Sequence, residues 1–180
     1  METISLDAFH ANTSILLKED FLKELRRKIS RQDRLAIKQR SGILLNLNKI
    51  LEISRKYNIE INEIERNILS YRTTRGRVTV KEPILPILVS PLFDMLIIHA
   101  IADGHCTKIE GRIPAFVYTQ NKNEILDLCI KKIEKTFGKL EYHNNYFYKT
   151  KRLYFPSSIS YVLYTHYGMK PEDFMEDNAK

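Results

Sequence analysis

The sequence predicts an α+β protein in two unlike parts. Residues 1–70 read as a small helical bundle. Residues 91–180 read as a unit ordered helix, two strands, helix, two strands, helix, built on an antiparallel sheet. Three observations carry this. Apolar residues before position 70 recur at helical spacing. Pro83, Pro86 and Pro91, with a single glycine, break any helix across 71–91, so 71–90 is predicted as a linker. Beyond 91, helical and strand-like patterns alternate, the signature of a mixed fold.

In order along the chain, "LLKEDFLKELRRKIS" spaces Leu17, Phe21, Leu22 and Leu25 for a helix. "RQDRLAIKQRSG" is a short helix ended by Gly42. "LLNLNKILEISRKYN" spaces Leu47, Ile50, Leu51 and Ile53 helically, and "INEIERNIL" is another short helix. No strand pattern interrupts this block, and "RVTV" in the linker is a plausible short strand. Ser90 and Pro91 form a helix start, N-cap then first turn, for a helix over 91–103. "CTKIEGRIPAFVYTQ" reads as two strands turning near Gly111. "NKNEILDLCIKKIEKTFG" is an amphipathic helix closed by Gly138. "KLEYHNNYFYKTKRLYF" is strand-rich and turns at Asn144-Asn145 or at Lys149-Thr150-Lys151. "PSSISYVLYTHYG" is a last helix ending at Gly168.

Charge points to partners. The net charge is +7. Most of the surplus is N-terminal: residues 1–80 carry 16 Lys and Arg against 10 Asp and Glu, and the remainder is nearly balanced. Such a surplus favours polyanions, nucleic acid first. Eight basic residues against two acidic ones lie between Lys23 and Arg40. The short helix there offers Arg31, Gln32, Arg34, Lys38, Gln39 and Arg40, and arginine suits guanine and glutamine adenine. A short helix following another fits a helix-turn-helix DNA reader. Cys106 and Cys129 make neither a disulfide framework nor a zinc pattern. No basic, apolar leader opens the chain, and its longest apolar run is too short to span a bilayer. A cytoplasmic protein with no membrane partner is expected.

The helix over 91–103 is apolar all round yet ends in Asp103-Gly104. A carboxylate at a helix C-terminus is unfavourable by roughly 1 kcal/mol or less, so a metal ion, a basic side chain or solvent must compensate. Two such helices side by side would each bring an aspartate to a shared groove. "LIIHAIADG" resembles the LAGLIDADG signature of homing endonucleases, most closely at Ala102-Asp103-Gly104 and at Leu96. The order of elements resembles the αββαββα unit of that family over roughly residues 84–168. "FVYTQNK" and the tail "RLYFPSSISYVLYTHYG" add to the likeness. The N-terminal block is similar to the helix-turn-helix segment that archaeal members often carry.

The resemblance implies a homodimer through helix 91–103, acting on double-stranded DNA by metal-assisted phosphodiester hydrolysis, with Mg2+ the expected ion. It implies that Asp103 is the metal ligand and that Gln120 orders water. A basic residue stands near the scissile phosphate: Lys149, Lys151 and Arg152 are the candidates, with Lys151 carried as catalytic. It implies that Tyr118, Tyr148, Lys149, Lys151 and Arg152 lie on the DNA-facing side of the sheet. Ile97, Ile98 and Ile101 depart from the small or acidic residues usual in the motif. They favour an alternative, a catalytically silent DNA-binding or regulatory protein on the same scaffold. Asp-Gly is also a common turn pair, and His99 in an apolar helix is more often a satisfied histidine than a ligand.

Overall fold

Alternation decides the first long element. In Thr13–Leu17 the odd-numbered positions Thr13, Ile15 and Leu17 are buried and those between are half-buried, the period of a strand rather than a helix. The computed structural model describes residues 2–37, 44–73, 78–107, 115–142 and 147–169. Within them β1 (Thr3–Ile4) pairs with β6 (Ile87–Leu88). A five-stranded antiparallel sheet runs β3 (Leu45–Asn46), β2 (Thr13–Leu17), β4 (Ile68–Thr73), β5 (Val78–Lys81), β9 (Lys139–Tyr142). A three-stranded antiparallel sheet runs β10 (Arg152–Tyr154), β8 (Ala115–Thr119), β7 (Gly104–Thr107).

The helices follow the apolar spacing closely. α1 (Glu19–Lys28) buries Phe21, Leu22 and Leu25. It starts with Glu19 and Asp20 and ends with Arg26, Arg27 and Lys28, which suits the helix dipole. α2 (Arg31–Ala36) follows after two residues. α3 (Leu47–Tyr57) is capped by Asn46, whose Oδ1 accepts from Lys49 N at 3.2 Å, and is closed by left-handed Asn58. α4 (Ile61–Glu65) ends on a buried carboxylate; Glu65 accepts from Ser5 Oγ at 2.7 Å and Leu6 N at 2.8 Å, fastening the N-terminal segment. α5 (Pro91–Asp103) has the expected start: Ser90 Oγ accepts from Phe93 N and Pro91 occupies the first turn. α6 (Asn123–Phe137) stops at Gly138, where φ is +112° and a Cβ would lie within 2.9 Å of three backbone atoms. After the single turn α7 (Phe147–Thr150), α8 (Ser157–His166) packs against both β8 and β4. Left-handed Gly168 ends it, and Met169 N reaches back to Leu163 O. Buried side chains from both halves belong to one core.

Three features differ from the sequence prediction. The expected helical bundle over 1–70 also contains β1 to β4; Tyr71, fully buried opposite Ile15, outweighs the local helical reading. The expected linker 71–90 carries the end of β4 and all of β5 and β6, and β5 bonds to β9 from beyond residue 91. The two strands expected in 139–155 do not pair with each other. Leu140 and Tyr142 of β9 find Val80 and Val78 of β5, a better apolar match, while β10 joins β8. The chain turns before β10 at Lys151, which is left-handed at φ 58°; Asn144-Asn145, Gly111 and Gly42 lie outside the described residues. Among the described residues no helix is long and apolar enough to cross a membrane.

Candidate functional site

Asp103 is the last residue of α5 and is exposed. The glycine after it is not a turn residue: Gly104 is extended, at φ −107° and ψ 173°. Space explains it. A Cβ on Gly104 would sit 2.1 Å from Ala100 O and 3.0 Å from Val117 O, so only glycine lets β7 start against the last turn of α5. That close start fixes Asp103 above the end of β8, because Gly104 pairs with Tyr118.

Tyr118 is fully buried, with its ring 6.2 Å from His99. Its hydroxyl donates to Asp103 Oδ2 at 3.4 Å and also meets the Gln120 side chain. Burial raises the Tyr118 pKa above its ordinary value, so the hydroxyl stays a proton donor at neutral pH. Gln120 N donates to Lys151 O at 3.0 Å, and Gln120 Oε1 accepts from Asn121 N. Lys151 Nζ donates to Asn123 Oδ1 at 2.5 Å in the first turn of α6. Asp103 and Gln120 thus flank the Tyr118 hydroxyl at the corner where α5 and β8 end, and Lys151 joins that corner through its backbone, with its ammonium turned to Asn123 of α6. The corner's donors are oxygens, which suit a hard cation such as Mg2+. Among the described residues no group of three or more His, Cys, Asp or Glu is placed to hold a metal. One carboxylate per chain still fits Mg2+, which commonly keeps several waters and takes one or two carboxylates beside phosphate oxygens.

The sheet register sorts the remaining candidates. Gly104, Cys106, Phe116, Tyr118 and Leu153 share the helix-covered face. The expectation that Tyr118 meets DNA is therefore corrected: it points at α5. The opposite face carries His105, Val117, Thr119, Arg152 and Tyr154, of which Thr119 and Arg152 are exposed. His105 and Cys106 point to opposite faces and cannot share an ion. Lys149 and Tyr148 are exposed on α7, and Tyr148 OH donates to Asp127 Oδ1.

α5 has an uncovered side. Phe93, Leu96 and Ala100 face the core, whereas Met95 is 47% exposed and Ile98 63%. Ile101 and Ala102 continue that side to Asp103. α6 runs antiparallel beside α5. Phe93 meets Phe137 at 5.8 Å, and Lys132 Nζ lies 2.9 Å from His99 Nε2. His99 is therefore a satisfied histidine. Leu128 of α6, one turn before Lys132, is also exposed.

The N-terminal basic helices divide into used and open charges. Lys23 pairs with Glu19 and Asp20, and Lys28 with Glu24 and Glu63. Arg26 Nη2 donates to Ile37 O, closing α2. Asp33, expected only as an acid in a basic helix, is the anchor of α2. Its Oδ2 accepts from Lys56 Nζ at 2.7 Å, Tyr57 OH at 2.7 Å and Ser30 Oγ at 2.9 Å. The Lys56, Tyr57 and Ser30 hydrogen bonds hold its carboxyl well below the usual range. Arg31, Gln32 and Arg34 are exposed, and neither arginine forms an ion pair among the described residues. Lys38, Gln39 and Arg40 lie outside the described residues. The two-residue connection before α2 is tighter than the three or four residues usual in a helix-turn-helix.

Sequence reasoning missed Asp33, Thr119 and Lys132, and it set Tyr118 on the DNA-facing side. The alternation in "AFVYT" carried a signal for Tyr118 and Thr119: large aromatics at 116 and 118 mark the inward face, leaving 119 outward. Comparison with family models, with curated proteins and with solved structures returned no match.

Proposed function

We propose that this chain is a site-specific double-stranded DNA-binding protein that pairs with a second copy through α5, and that Asp103 of each copy serves a divalent-metal-dependent cleavage of the DNA backbone. The observation that carries it is the uncovered apolar side of α5 running directly into an exposed aspartate. An apolar helix face left in water is unfavourable, and a second copy would cover it with an identical surface. The carboxylates would then meet near the two-fold axis. Exposed Arg31 and Arg34 of α2 and Arg152 of β10 supply cations toward phosphate, and Gln32 is the base-reading side chain on α2.

In this reading Asp103 holds Mg2+, Gln120 orders water beside it and Lys151 stands near the phosphate. A bound divalent ion supplies acidified water and offsets the charge that builds on the phosphate. A two-fold dimer favours a near-palindromic target.

A second reading keeps the DNA and removes the chemistry: a silent reader or regulator. The single carboxylate per chain and the bulky Ile98 and Ile101 where close helix approach is needed favour it. Purified protein mixed with fragmented genomic DNA in Mg2+, followed by sequencing of the bound fragments and their ends, separates the two. Ends piled at one near-palindromic site support cleavage. One enriched site with intact ends supports the silent reader. No enrichment, with no salt-sensitive binding, overturns both.

A further inference from the structure

We infer that Tyr118 is a positioning residue for Asp103 and Gln120, seated from behind by the His99–Lys132 pair; this rests on the cation-binding role proposed for Asp103. Asp103 ends its helix with its carboxylate in water, so nothing on its own element restrains it. The Tyr118 hydroxyl is the polar group that reaches it from the sheet, at 3.4 Å. That separation is long for a hydroxyl–carboxylate bond and leaves room to shorten when a cation draws the carboxylate in. The same hydroxyl touches Gln120, so one buried atom spans the proposed ligand and the proposed water-ordering residue.

The ring cannot swing away. It is fully buried on β8, against His99 of α5. His99 is itself held by Lys132 of α6, whose ammonium donates to Nε2 at 2.9 Å. An ammonium donor requires that Nε2 carry no proton, which fixes the imidazole tautomer with its proton on Nδ1. Lys132, His99 and Tyr118 thus form a brace from α6 through α5 to the corner. Groups placed like this orient a metal ligand without touching the metal, and losing one commonly weakens metal affinity about tenfold or more.

The test is Mn2+ binding to the full chain in the presence of its enriched duplex, read from the loss of the free-ion EPR signal, with thermal melting of each variant. Asp103→Asn is expected to remove binding. Tyr118→Phe keeps the ring and is expected to melt like the wild type, bind DNA without metal as tightly, and bind Mn2+ about tenfold more weakly. Lys132→Gln, further from the corner, is expected to weaken Mn2+ in the same direction by less. Wild-type affinity in Tyr118→Phe, with binding lost in Asp103→Asn, overturns the positioning role and leaves the proposed ligand standing. Unchanged binding in both variants overturns Asp103 as ligand, and the positioning role with it.

Discussion

Asp33 and Asp103 are two acids in the same chain with opposite surroundings. Asp33 lies in α2, buried, with three donors on one oxygen. Asp103 lies at the end of α5, exposed, with one long contact from Tyr118. Asp33 sits in the first turn, where the helix dipole favours an anion; Asp103 sits in the last, where it does not. Asp33 has spent its acceptor capacity on joining α2 to α3. Asp103, among the described residues, accepts only the long Tyr118 contact and stands against the dipole. The contrast separates an acid that builds the fold from one that the fold presents.

The largest expected effect breaks the contrast at its functional end. Asp103→Asn should lower metal-dependent cleavage on the order of a thousandfold, because it removes several kcal/mol of charge stabilisation. DNA binding should stay near wild type in a filter-binding assay. Next is Ile98→Asp on the open side of α5. Burying two unpaired carboxylates at a two-fold interface should raise the dimer Kd roughly hundredfold or more. Monomer melting should hold, since Ile98 is 63% exposed in the single chain; sedimentation equilibrium reads the first effect and circular dichroism the second. Gly104→Ala tests what presents Asp103. Its methyl would collide with Ala100 O and Val117 O, so a loss of about 3 kcal/mol in urea unfolding is expected.

Smaller effects sharpen the basic end. Arg31→Ala and Arg34→Ala should each weaken DNA binding across all sequences and reduce the salt slope by about 1. Gln32→Ala should instead relax preference at one base pair. The pH dependence belongs to Asp33. Its folded pKa is depressed by Lys56, Tyr57 and Ser30, so its contribution is present above the ordinary carboxylate value of 3.8 and is lost as pH falls below it. Acid melting curves should show that loss in the wild type and lack it in Asp33→Asn.

Much of the C-terminal half was legible because its signals are local. Ser90-Pro91, Gly138 and Gly168 punctuate helices by backbone geometry alone, and each stands where its chemistry requires. The five-stranded sheet was not legible. β2 and β4 are short strands whose identity depends on each other, through Ile15 opposite Tyr71, across more than fifty residues of chain. β9 was readable as a strand, but its partner was not, since the choice of β5 over β10 is a matter of which apolar side chains meet. At the site, Asp103, Gln120 and Lys151 were named from the family resemblance; the Tyr118 hydroxyl reaches Asp103, and Gln120 N meets Lys151 O while the Lys151 ammonium turns to Asn123. Tyr118 was set on the DNA-facing side by the family resemblance, whereas the period-two alternation with buried Phe116 turns it inward.

The most direct measurement is the melting temperature of two single variants, Asp33→Asn and Asp103→Asn, in buffer without metal or DNA. A fold-building acid costs stability when neutralised; an acid presented against the helix dipole does not. Asp33→Asn should melt several degrees below the wild type, and Asp103→Asn at or slightly above it, by the few tenths of a kcal/mol that the dipole term carries. A fall in Asp103→Asn as large as that in Asp33→Asn would contradict the account, making Asp103 one more structural acid with nothing to offer a cation.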